Sequence, residues 1–245
     1  MCVPGWPACY APQPCATESD HVLEPEAIQA ALLASAGEVQ ALMNHLGLAA
    51  RSAPATKLAF EADLRSSLRK ALQFGRAELV STEASLGQGA LASPTDVIVA
   101  AKTRVPQLAI EINWHPRSED HAGFANGALA DMLKMTVARQ KGAVEQGAVL
   151  LAAPPRFWRW LPGYAEDRSG YELLTTDAET PASVKADFLG GATWDFVFDG
   201  GMDTEVPERL WSSIMASAEV RSPWAEMELR LLDVKGLGGL KNVRD

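Results

Sequence analysis

Cysteine is scarce in this chain and confined to one end. Cys2, Cys9 and Cys15 lie among Pro4, Pro7, Pro12 and Pro14. An odd number of thiols in a proline-rich stretch is not a disulfide framework. Their gaps are also too long for a C-x-x-C zinc half-site. Residues 1–22 therefore read as a flexible, reduced tail. Long apolar runs are absent as well: nothing approaches the roughly 18 residues that a membrane helix requires. The start has neither the basic residues nor the apolar run of a signal peptide, so a cytoplasmic location is expected. No Walker loop, G-x-G-x-x-G fingerprint, G-x-S-x-G elbow or H-E-x-x-H helix occurs. Nucleotide, serine-hydrolase and zincin chemistries thus lack their usual supports.

Positive charge is also in short supply, but unevenly so. The net charge of −9 would by itself argue against a nucleic-acid partner. Residues 1–50 carry −5 and residues 161–245 carry −8, whereas residues 51–160 carry +4. Phosphate attraction depends on local charge, so the middle segment can face phosphates.

The composition, 47% hydrophobic and 22% charged over 245 residues, is that of a chain able to bury a core. Glu24-Pro25-Glu26 opens a helix that Gly47 and Ser52-Ala53-Pro54 close, giving an N-terminal unit over 23–54. A second helix over Thr56–Phe74 follows from the spacing of Leu64, Leu68 and Leu72. Short strands are expected at Glu78–Ser81 and Asp96–Ala101. A third, Gln107–Trp114, alternates Leu108, Ile110, Ile112 and Trp114 against Ala109, Glu111 and Asn113. A helix over Asn126–Gln146 and a buried-type strand at Ala148–Ala153 complete a core spanning 55–155. Residues 156–245 read as an extension of the same domain, with a strand at Trp194–Phe198, a short helix from Pro207 to Ile214 and a strand at Glu226–Val234. The class is α/β, a mixed sheet flanked by helices.

The order of elements gives the acids their interest. Asp96 begins one strand and Glu111 ends the next, so hairpin pairing can bring their carboxylates together. Two carboxylates at a sheet edge are enough for Mg²⁺, which keeps waters and takes further ligands from substrate phosphates. Such an ion can activate a water against a phosphodiester.

Pro94-Thr95-Asp96 before Val97-Ile98-Val99, then Ile110-Glu111-Ile112-Asn113-Trp114, resembles the P-D…(D/E)-x-K signature of the restriction-endonuclease-like nucleases. The helix, three-strand, helix, strand order over 55–153 is similar to that family's core. The resemblance implies a Mg²⁺ or Mn²⁺ site on Asp96 and Glu111, supported by Glu61 on the first core helix, with DNA as substrate. It departs at Asn113, where the family has a lysine; an amide carries no charge. Some members of the fold carry the lysine on the following helix, where this chain has Lys134. That residue can supply the missing charge or form an i, i+3 surface pair with Asp131, and Lys102 near the hairpin turn is a weaker substitute.

Arg156, Trp158 and Arg159 interleave cations with aromatics after the last core strand. Such a segment can bind nucleic acid or pack over the end of the sheet. His115, Asp120 and His121 read as an exposed loop rather than a metal site. Asp195, Asp199 and Asp203 lack the spacing of a calcium loop. Two functions follow: metal-dependent cleavage of DNA, or a nuclease fold without catalysis that binds nucleic acid or protein. An α/β protein unrelated to nucleases is the third possibility.

Overall fold

The computed structural model describes residues 23–49, 61–74, 79–100, 105–115, 120–175, 182–183, 205–223 and 225–242. The chain forms helix α1 (Pro25–Ala49), helix α2 (Glu61–Gln73), strands β1 (Val80–Ser85), β2 (Pro94–Val99) and β3 (Leu108–Trp114), and helix α3 (His121–Gln140). Strand β4 (Gln146–Ala153), helix α4 (Pro155–Ala165), and strands β5 (Ala182–Ser183), β6 (Glu205–Ser222) and β7 (Ala225–Asn242) follow. The strands build one seven-stranded sheet in the order β1-β2-β3-β4-β7-β6-β5. Strands β3 and β4 run parallel, joined through α3, and every other pairing is antiparallel. The protein is therefore α/β, a mixed sheet with helices on both faces, and β7 joins the C-terminal hairpin directly to β4.

The alternation read along β3 sorts its side chains as expected. Leu108, Ile110 and Ile112 pack with Leu32, Leu64, Leu68 and Leu72 of α1 and α2. Ala109 points to the opposite face, among Leu129, Met132 and Leu133 of α3 and Phe157 of α4. Helix α3 lies close to the sheet because Gly147 of β4 has no side chain; a Cβ there would stand 2.9 Å from the Met135 carbonyl. At its far end Arg139 donates to Asp233 Oδ1 at 3.1 Å and to the Val234 carbonyl at 3.0 Å, tying α3 to β7.

Several boundaries move, each for a local reason. Helix α1 runs through Gly47 to Ala49. Helix α3 starts five residues before Asn126 because Asp120 caps it, accepting from the Gly123 amide at 2.8 Å. It stops at Gln140, ahead of Gly142 at φ +69°. The expected helix from Pro207 is wrong: residues 205–222 are the long strand β6. Buried Ala216, Ala218, Val220 and Ser222 alternate there with exposed Ser217, Glu219 and Arg221, a period of two. Pro207 sits beside one register shift against β7, where a missing amide is tolerated.

A second shift, between Ile214 and Ala216, changes the face that β6 presents. Val206 and Leu210 pack on the α3 side, whereas Ala216, Ala218 and Val220 pack on the α1 side. One irregular residue flips everything beyond it, as a period of two requires. Past Leu210, β6 has no strand on its outer side among the described residues, and α1 covers it. Gln29 Nε2 donates to the Ser217 carbonyl at 2.8 Å, and Gln29 Oε1 accepts from the Ser217 amide at 3.1 Å. Gln40 Oε1 accepts from the Arg221 amide at 3.0 Å. The strand expected at Trp194–Phe198, and Asp195, Asp199, Asp203 and Lys102, lie outside the described residues.

Candidate active site

Register places three carboxylates in one row across three strands. Thr82 pairs with Val97 and Ala84 with Thr95, which sets Glu83 opposite Asp96. Val97 pairs with Ile110 and Ile98 with Ala109, and the same register carried one step further sets Asp96 opposite Glu111. The β2–β3 ladder opens at that step. Asp96 Oδ2 accepts from the Ile112 amide at 2.7 Å, so a side chain serves a backbone donor where the ladder stops.

Like charges facing across strands repel, and each meets a cation brought by a helix. Arg65 of α2 reaches between the first two: its Nη1 lies 2.8 Å from Glu83 Oε1 and 2.8 Å from Asp96 Oδ1. Glu83 has φ +52°, the one positive φ at a non-glycine residue among those described. Lys134 of α3 is buried and meets Glu111, which is also buried. Its ammonium donates as well to the Pro94 carbonyl at 3.0 Å and the Ser93 carbonyl at 3.3 Å. Three acceptors match its three protons. Asn113 Nδ2, one pleat beyond Glu111, donates to Asp131 Oδ2 at 2.8 Å.

The acids push one another's affinity for protons upward. Burial, then the charge of Asp131, raises Glu111 to about 8 against the opposing pull of Lys134. Burial raises Asp131 to about 6, opposed by the Asn113 hydrogen bond and by Lys134. Glu61, in the first turn of α2, is raised by burial and then by Asp96. Apart from the exposed Glu83, four carboxylates (Glu61, Asp96, Glu111, Asp131) thus face two cations (Arg65, Lys134). Fully ionised, this group carries two negative charges in excess.

Sequence reasoning named Asp96, Glu111, Glu61, Asn113 and Lys134, and all five converge on this end of β2 and β3. The surface pairing of Lys134 with Asp131 is corrected: Lys134 turns inward to Glu111, and Asp131 bonds Asn113. Arg65, Glu83 and Asp131 were missed as members. Arg65 stands four residues after Glu61, on the same face of α2, which was a usable signal; nothing in the sequence marks Glu83.

The other candidates separate from this cluster. Arg156, Trp158 and Arg159 belong to helix α4, opened by Pro155, and not to a loop. Trp158 is buried, its Nε1 donates to the Ala153 carbonyl at 3.2 Å, and Arg230 stacks on its ring 3.9 Å from the centroid. Its ring is therefore covered where base stacking would need it open. Arg156 and Arg159 are exposed and line a cavity of about 480 Å³ with Pro154, Pro155, Pro223 and Glu226.

His115 is likewise corrected: it is buried, not an exposed loop residue. Its ring stacks on Phe124 at 4.5 Å, meets Phe157 edge-on, and its Nε2 lies 2.6 Å from His121 Nδ1. One proton is shared across that contact, and burial, then His121 and Arg156, lower His115 to about 4.

Comparison with protein-family models, curated proteins and solved structures found no match. Among the described residues no group of three His, Cys, Asp or Glu side chains converges as a ready ion cage. No described helix is long and apolar enough to cross a membrane.

Proposed function

We propose that this chain is a metal-dependent phosphodiester-hydrolysing protein with a restriction-endonuclease-like core, acting on DNA. The observation that carries the reading is the register row of Asp96 and Glu111, flanked by Glu61 and completed by Lys134. The element order α2-β1-β2-β3-α3-β4 supports it.

The donor set suits a hard divalent cation. Mg²⁺ needs only one or two carboxylates when waters and substrate phosphates supply the rest, so Asp96 and Glu111 suffice, with Glu61 beside them. When bound, Mg²⁺ or Mn²⁺ would supply charge stabilisation and an acidified water. The chain's own part is to hold those groups. Asp96 is fixed by the Ile112 amide, and Lys134 orients Glu111 while carrying positive charge beside it. Asn113 is fixed by Asp131 and donates no charge. Arg156 and Arg159 would contact the backbone of bound DNA.

Glu111→Ala should abolish Mg²⁺- or Mn²⁺-dependent cleavage of plasmid and oligonucleotide DNA while circular dichroism stays native. Unchanged cleavage in that variant would sink the assignment. The second reading, a nuclease fold serving as a nucleic-acid- or protein-binding subunit, is favoured by Asn113 at the lysine position. The internal pairing of Asp96, Glu111 and Asp131 favours it too. DNA binding without metal-dependent hydrolysis in the purified wild type would select it.

A further inference from the structure

Asp96 divides its two oxygens between different tasks. Oδ2 is committed to the Ile112 amide, whose hydrogen bond closes the end of the β2–β3 ladder. Oδ1 is the oxygen left to face a cation, and Arg65 already occupies it at 2.8 Å. A guanidinium and a divalent ion cannot share one carboxylate oxygen at contact distance without strong repulsion. An ion that takes Asp96 Oδ1 therefore competes with Arg65 for it.

The displaced guanidinium has a destination. The same Nη1 also touches Glu83, which faces Asp96 across the β1–β2 pair. Glu83 holds a left-handed backbone, at φ +52°, that L-residues disfavour. The arrangement is thus two carboxylates with one arginine between them, one acceptor at the site (Asp96, 13% exposed) and one outside it (Glu83, 63% exposed).

We infer that Arg65 is a positioning residue that gates the carboxylate site, sitting on Asp96 Oδ1 in the metal-free protein and passing to Glu83 when a divalent cation takes that oxygen. This rests on the metal-site reading above and adds its regulation: cation affinity is set by a competition internal to the chain. Lys134 has no such second acceptor, since its three protons are satisfied by Glu111, Pro94 and Ser93. It stays in place while Arg65 moves.

The test is calorimetric titration of Mg²⁺ alone into the full chain and its variants at physiological ionic strength. Arg65→Gln should bind about tenfold more tightly than wild type, the equivalent of one ~1.4 kcal/mol ion pair no longer displaced. Glu83→Gln should bind about two- to threefold more weakly, because an exposed pair of that kind contributes only ~0.5 kcal/mol to drawing Arg65 away. In Arg65→Gln/Glu83→Gln the Glu83 effect should vanish, leaving the affinity of Arg65→Gln. Arg69→Gln, one turn along α2, removes the same charge from the same helix and should change affinity less than twofold. Arg65→Lys, which restores a cation, should return affinity toward wild type; this also guards against a folding defect in the glutamine variant.

Wild-type binding that Asp96→Ala removes, with Arg65→Gln no tighter than wild type, would overturn the gate and leave the metal site standing. An equal gain from Arg65→Gln and Arg69→Gln would overturn it too, because simple removal of charge would then account for the effect. No binding by wild type or by folded Arg65→Gln would overturn both the gate and the site. Binding by Arg65→Gln but not by wild type would be the gate in its strongest form.

Discussion

On the α1/α2 face of the sheet, Leu32, Leu64, Leu68, Val97, Ile110 and Leu150 fill the buried positions, and the polar groups buried on these helices are the hydroxyls of Ser35 and Ser67. On the α3/α4 face, Glu111, Lys134 and His115 are buried alongside Leu129, Met132 and Phe157. One sheet therefore carries two kinds of core. The first is held by area removed from water, which is non-directional. The second must satisfy charges one by one, because an unpaired buried ion costs several kcal/mol. A protein able to bury leucine on one face need not bury a lysine on the other, so the second face carries a constraint that the first does not.

The comparison can be broken by substitutions that treat the faces alike. Leu68→Ala, at a fully buried position, should lose about 3–4 kcal/mol, with the same loss at pH 5 and pH 8 in urea denaturation. Lys134→Met keeps the length of the side chain but strands Glu111, and should cost about 3 kcal/mol at pH 9, where Glu111 is ionised in the wild type. Adding Glu111→Gln should recover most of that loss. If Lys134→Met is instead as mild as Leu68→Met, below about 1.5 kcal/mol, the charged pair is not a constraint on this face and the contrast fails.

The last contrast is a shape, a loss of stability along each limb of the stability profile against pH. His115 is lowered from 6.5 to about 4, so the unfolded chain takes up its proton first. Stability from this residue is complete above pH 6.5 and is lost as pH falls toward 4. Glu111 has the opposite sign: raised from 4.5 to about 8, it holds a proton in the folded chain that the unfolded chain releases. Stability from it is therefore present below pH 4.5 and lost as pH rises toward 8. Thermal melting across pH 4–9 should show His115→Gln flattening the acid limb and Glu111→Gln the alkaline one. A profile unchanged in both variants would mean that neither group differs between folded and unfolded chains.

These contrasts also explain what the sequence disclosed. Period-two alternation from Leu108 to Trp114 located β3 and assigned its faces, because burial imposes that period directly. The leucine spacing of α2 did the same. Asp96 and Glu111 could be joined because a hairpin between adjacent strands fixes register. What stayed hidden depends on tertiary geometry. A helical wheel puts Lys134 on the flank of the apolar stripe, open to the site or to a surface pair with Asp131, since no wheel shows a carboxylate arriving from a strand 23 residues earlier in the chain. His115 is read as exposed beside Pro116 and Ser118, since the rings that bury it come from α3 and α4. Pro207 suggested a helix because its rigid φ suits a first turn as well as an irregular strand, and the face change at Ile214/Ala216 disrupts the very alternation that would have argued otherwise.

The glutamines of α1 have a consequence for how the molecule behaves among its neighbours. Gln29 and Gln40 occupy the hydrogen-bonding groups of Ser217 and Arg221 on the outer side of β6, much as a neighbouring strand would. An unpaired strand edge is a template on which another chain can add. Helix α1 is thus more than a lid on a hydrophobic surface: by side-chain mimicry of a backbone, two of its amides take hydrogen-bonding places on β6 that another strand would otherwise use.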